Sequence, residues 1–139
     1  MLDCRNIVKT YYKGVAEETK VLSRLNLKIG QGEIVALKGS SGTGKTTLLN
    51  LVSGLDYPSS GDIIFNNKTI TNYNTNQLSL FRRNHIGIIF QFFNLINDLT
   101  TLENICLPLM IKGQKKSLAM SQGLKLAGSF ELDSKINYP

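Results

Sequence analysis

Residues Gly39-Ser40-Ser41-Gly42-Thr43-Gly44-Lys45-Thr46 follow the spacing G-x-x-x-x-G-K-[ST] without a mismatch, and that spacing has a definite chemistry. Its glycines let successive backbone N–H groups turn inward on phosphate oxygens. Lys45 brings a compact positive charge to the β- and γ-phosphates, and the Thr46 hydroxyl is a ligand for Mg²⁺. With the adjoining Thr47, these residues form the candidate binding set for a nucleoside triphosphate. A glycine- and serine-rich turn arising by chance would have no reason to sit between a strand and a helix. Here Ile34-Val35-Ala36-Leu37 is a short apolar run suited to a buried parallel strand. After the loop, Lys45 to Leu55 reads as a helix with Leu48, Val52 and Leu55 on one stripe. The strand feeds the loop, and the helix N-terminus adds its partial positive charge behind the phosphates.

The rest of the chain must hold this loop. Leu2 to Tyr12 reads as a strand, the polar run Lys13 to Lys20 as a loop, and Val21 to Ile29 as a second strand. In the latter Val21, Ser23, Leu25, Leu27 and Ile29 alternate with Leu22, Arg24, Asn26 and Lys28. An antiparallel layer thus precedes the phosphate loop. Beyond the first helix, Asp56-Tyr57-Pro58-Ser59-Ser60-Gly61 is dense in turn formers, Ile63-Ile64-Phe65 is a short strand, and Asn66-Asn67 is its turn. Thr75 to Asn84 is expected as a helix with Leu78 and Phe81 inward. Ile86 to Phe90 is expected as an apolar strand ending at Gln91, with Gly87 weakening it. Thr100 and Glu103 have the spacing of a capping box opening a helix through about Met110, which Pro108 should kink or end. Gly113 closes that segment, and a last helix runs from about Lys115 to Ala127.

A chain of 139 residues corresponds to about one domain, and 42% hydrophobic residues suffice for a packed core. Apolar stretches such as Ile86 to Phe93 are interrupted and fall short of the ~20 residues a membrane-spanning helix needs. Met1-Leu2-Asp3-Cys4-Arg5 has neither a basic nor an apolar leader region, which makes the cytoplasm the expected location. Cys4 and Cys106 lack metal-ligand spacing and read as small buried thiols. The net charge of +6 is spread singly along the chain without interleaved aromatic residues, which fits a solvated surface better than a nucleic-acid site.

Taken in order, these motifs resemble the ATP-binding subunits of ABC transporters along the whole chain. The resemblance is to the lipoprotein-releasing (LolD) and macrolide-export (MacB) class, through Gly39 to Asn50, Gly54 to Gly61, Arg82-Arg83, Ile86-Gly-Ile-Ile-Phe-Gln91, and Asn94-Leu95 on to Leu107-Pro108-Leu109. It implies an α/β P-loop NTPase fold. Residues 1–91 would be the antiparallel β layer plus the phosphate-loop (Walker A) core, and residues 92–139 the start of an α-helical subdomain. It also implies ATP and Mg²⁺ as ligands, a membrane permease and a second nucleotide-binding subunit as partners, and a peripheral place at the inner face of the membrane.

By match, Tyr11 falls where the family places an aromatic that stacks on adenine. Tyr12 is a neighbour able to substitute, and a tyrosine merely packing its ring on a strand is the alternative. Gln91 matches the glutamine that reaches Mg²⁺ and the attacking water. A neutral amide can do this without adding charge beside the phosphates. His85 does not match the family's switch histidine and reads as a surface or packing residue.

The family pattern continues past Tyr138-Pro139 with a Leu-Ser-Gly-Gly-Gln signature, a Walker B strand ending in Asp-Glu, and the switch histidine. None occurs in these 139 residues. The expectation is therefore an N-terminal fragment that binds nucleotide and, lacking the family's general base, does not hydrolyse it alone. A non-enzymatic remnant and an ABC-like regulatory ATPase of cell division remain as alternatives. A guanine-specific protein is disfavoured, because Asn67-Lys68-Thr69-Ile70 fails the Asn-Lys-x-Asp pattern at its last position.

Overall fold

The computed structural model describes residues 1–13 and 17–138. Two compact units are present, Met1–Arg82 and Arg83–Pro139.

The first unit is built on a long antiparallel hairpin, β1 (Leu2–Lys13) and β2 (Glu17–Ile29). With β3 (Ser60–Phe65) and β4 (Lys68–Thr69) it forms a sheet of order β2-β1-β3-β4. The hairpin includes most of the polar run expected as a loop. Tyr11 pairs with Thr19 and Tyr12 with Glu18, while residues 14–16 of that expectation lie outside the described residues. A solvent-exposed antiparallel ribbon asks only that its backbone groups be paired, so polar side chains do not forbid it.

Register shifts in the hairpin coincide with positive φ at Asn6 (50°) and Arg24 (50°). Each bulge offsets the two-residue alternation. As a result Cys4 and Ile7, three apart, are both buried, and so is Leu22 in place of the expected Ser23 phase. Asn66 and Asn67, at φ 46° and 64°, turn β3 into β4 as the Asn pair implied.

Helix α1 (Lys45–Val52) leaves the phosphate loop and buries Leu48 and Leu51. The expected stripe through Val52 and Leu55 is corrected here. The helix stops at Ser53, with Gly54 at φ 70°, so Leu55 lies beyond its end and is exposed. Helix α2 (Thr75–His85) turns Leu78 and Phe81 inward as expected, with Phe81 edge-on to Phe65 at 5.2 Å between ring centroids.

Two expected strands are absent. Ile34 to Leu37 and Ile86 to Phe90 carry no strand structure. Ile34 is 98% exposed, and Ile89 is fully exposed. A strand exists only where a neighbour accepts and donates along its length. Among the described residues, the sheet contains β1 to β4 alone.

The second unit pairs α3 (Thr101–Ile111) with α4 (Lys116–Ser129). Pro108 does not end α3, which runs to Ile111 and is closed by Lys112 and by Gly113 at φ 87°. Ala119, Gly123 and Ala127 line the buried face of α4, and Cys106 lies against it with its thiol donating to the Ala119 carbonyl at 3.3 Å. A Cβ at Gly123 would overlap the Cys106 sulfur, so the residue is small because the helices touch there. Both cysteines are free and buried, as expected. Burial raises the Cys106 thiol pKa, and burial with the neighbouring Asp3 charge pushes that of Cys4 up to about 11.

Candidate functional site

The loop Gly39 to Thr46 lies in the first unit, directly before α1. Gly44 stands at the N-cap of that helix with φ 88°. A side chain there would be strained by the left-handed backbone. It would also press within 2.9 Å of Leu22 Cδ2 and 3.0 Å of Val21 Cγ1, so glycine is what allows the loop to close on β2. Gly42, at φ 81°, has open space around it, which leaves its backbone approachable.

Lys45 folds back over the loop. Its ammonium donates to the carbonyls of Gly39 at 2.9 Å and Ser40 at 2.7 Å. An ammonium has three donors, so one remains for an incoming oxygen. Thr43 Oγ1 donates to Ser40 O at 2.9 Å and braces the same turn. Thr46 is exposed and Thr47 half-buried in the first turn of α1. No side chain caps this helix, and its first turn holds no acidic residue. The first N–H groups of any helix lack intrahelical acceptors, and here no carboxylate competes for them. These residues fit a polyanion.

Tyr11 stands on β1 two residues beyond Lys9, which pairs with Leu22, the residue against Gly44. Tyr11 is 40% exposed. The phenol donates to Asp56 Oδ2 at 2.9 Å, and the Lys9 ammonium lies over the ring, 4.8 Å from its centroid. Lys9 also pairs with Asp56 Oδ1 at 2.8 Å and donates to Tyr57 O at 2.7 Å. Burial draws the Asp56 carboxyl pKa upward, but hydrogen bonds from Lys9, Tyr11 and the Tyr57 N–H outweigh it and hold it below the ordinary value.

Residues 22–137 match the family described as ABC transporter. The chain belongs to the ABC transporter family. Two curated relatives are each named lipoprotein-releasing system ATP-binding protein LolD. That of Saccharophagus degradans is 36% identical over 138 residues, and that of Colwellia psychrerythraea 39% identical over 138 residues. Each match covers 99% of this ABC family chain, but only 60% and 53% of the respective relative. Two solved structures of the ATP-binding cassette MJ0796, one described as a dimer in a post-hydrolysis state bound to ADP and Pi, align at TM-score 0.90 and 36% identity, over 99% of this chain and 60% of theirs. The fold is accordingly that of an ABC cassette, an α/β P-loop NTPase.

Within this ABC chain the structure gathers Tyr11 and the whole loop Gly39 to Thr47 into one unit. Gln91 belongs to the other, exposed and directly after Phe90. His85 ends α2 on the surface. Among the described residues no cluster of His, Cys, Asp and Glu is arranged for a metal, and no helix is long and apolar enough to cross a membrane. Sequence reasoning missed Lys9 and Asp56. The sequence marks Asp56 only as a turn former, and nothing in a linear pattern announces that it reaches back across 45 positions to Tyr11.

Proposed function

We propose that this chain binds ATP through its phosphate loop as part of the ATP-binding subunit of an ABC transporter. The observation that carries the reading is the turn of Gly39 to Lys45, folded with its lysine inward at a helix N-terminus that carries neither cap nor acid. Backbone N–H groups of the loop, with Ser40, Ser41, Gly42, Thr43, Gly44, Thr46 and Thr47, would surround the phosphates, and Lys45 would place its remaining donor on them. Tyr11 would present a ring face to the base.

A bound Mg²⁺ would supply charge neutralisation on the phosphates. In this reading the Thr46 hydroxyl would hold it, and the Gln91 amide, by its match to the family's glutamine, would take the metal- and water-contacting role in the whole protein. In the whole protein this chemistry would drive lipoprotein release or export, with a permease and a second cassette as partners at the inner face of the membrane. Residues 1–91 would serve as the β layer and phosphate-loop core, and residues 92–139 as the start of the helical subdomain. The close match to LolD proteins and to a dimeric cassette supports this assignment.

The test is calorimetric titration of Mg-ATP into the chain and its Lys45→Ala variant. The variant should lose at least about tenfold in affinity, the scale of one charge-assisted hydrogen bond. Equal affinity in a folded variant would remove the loop from the site.

A further inference from the structure

We infer that Lys9 and Asp56 are positioning residues that hold the Tyr11 ring in one orientation for a nucleobase. The inference rests on the reading of Tyr11 as the base-stacking residue and goes beyond it, because it concerns what fixes that ring. A tyrosine near the end of an exposed ribbon has several side-chain rotamers open to it, and a stacking surface that must first be ordered binds more weakly than one already in place.

Here two groups act on the ring from different directions. Asp56 Oδ2 accepts the phenol hydrogen at 2.9 Å and fixes the far end of the side chain. The Lys9 ammonium sits over the ring, 4.8 Å from its centroid, so a base would stack on the other face.

Neither group is itself loose. Lys9 has only 11% of its side chain exposed, and it is held by Asp56 Oδ1 at 2.8 Å and Tyr57 O at 2.7 Å. Asp56 also accepts from the Tyr57 N–H at 2.7 Å, and its own N–H donates to Asn50 O at 3.2 Å. That last bond ties it to α1. One short helix therefore carries the phosphate loop at its start and, through the segment leaving its end, the anchor of the ring.

The experiment compares affinities for ATP and for inorganic tripolyphosphate, which has no base, in the 139-residue chain and four variants. Tyr11→Phe keeps the ring and the Lys9–Asp56 pair and removes only the phenol anchor, so it does not depend on the fold tolerating a lost ion pair. It should weaken ATP about three- to tenfold, the scale of one hydrogen bond, and leave tripolyphosphate unchanged. Asp56→Ala should do the same or more, while Asp56→Asn, which still accepts from the phenol, should recover part of the loss. Wild-type ATP affinity in Tyr11→Phe and Asp56→Ala, alongside a loss confined to ATP in Tyr11→Ala, would overturn the positioning role and leave the stacking reading intact. Equal losses of both ligands in Tyr11→Ala would overturn the stacking reading, and this inference with it.

Discussion

Helices α1 and α3 begin in opposite ways. At α3 the chain satisfies its own terminus. Thr100 Oγ1 accepts from the Glu103 N–H at 3.2 Å and Glu103 Oε2 accepts from the Thr100 N–H at 3.0 Å, while the amides of Thr101 and Leu102 reach the carbonyls of Tyr138 and Ile136. The bonds that the Thr100 N–H and hydroxyl donate to the Glu103 carboxylate hold its pKa below the ordinary value. At α1 there is a left-handed glycine, no side-chain cap and no acidic residue. Lys45 brings its formal charge onto the loop. A helix start closed by its own residues serves the fold. One left open and electropositive, with a lysine folded beside it, is arranged for an anion that the chain does not supply.

The largest expected effect comes from closing the open terminus. Gly44→Ala should destabilise the first unit by roughly 2–4 kcal/mol, from the left-handed backbone and the overlap with Val21 and Leu22, and should abolish ATP binding. Urea unfolding and titration on the same variant would show both. Intact ATP affinity would break the comparison at its open end. Thr100→Ala should cost about 1 kcal/mol of stability and leave ATP affinity unchanged, since its cap serves only α3. A parallel loss of nucleotide would mean that the two termini are not separate in function.

The smallest effect is in pH. The Asp56 carboxyl is lowered in the fold, so its contribution is present above its unfolded pKa and is lost as pH falls through its folded one. Asp56→Asn should therefore be less stable than the parent at neutral pH, by under about 1 kcal/mol, and the gap should close in acid. A gap that persists at low pH would show that the ion pair with Lys9 is not its source.

What could be read from the sequence was local. The Asn66-Asn67 turn, α2 with Leu78 and Phe81, and the Thr100–Glu103 capping box each depend on residues a few positions apart, and each stands where its pattern placed it. Ile34 to Leu37 and Ile86 to Phe90 have the composition of strands but, among the described residues, no partner strand to make them so, because strand structure is a property of two segments. The bulges at Asn6 and Arg24 and the reach of Asp56 to Tyr11 are likewise pairings across the chain, invisible to any single window.

The most direct measurement is competition for bound Mg-ATP on the 139-residue chain, with inorganic tripolyphosphate and adenosine as the two competitors. If Gly39 to Lys45 and the open start of α1 are the core of the site, tripolyphosphate displaces ATP and adenosine at equal concentration does not. Displacement by adenosine with no effect of tripolyphosphate would contradict the account, since the base alone would then be what the protein holds.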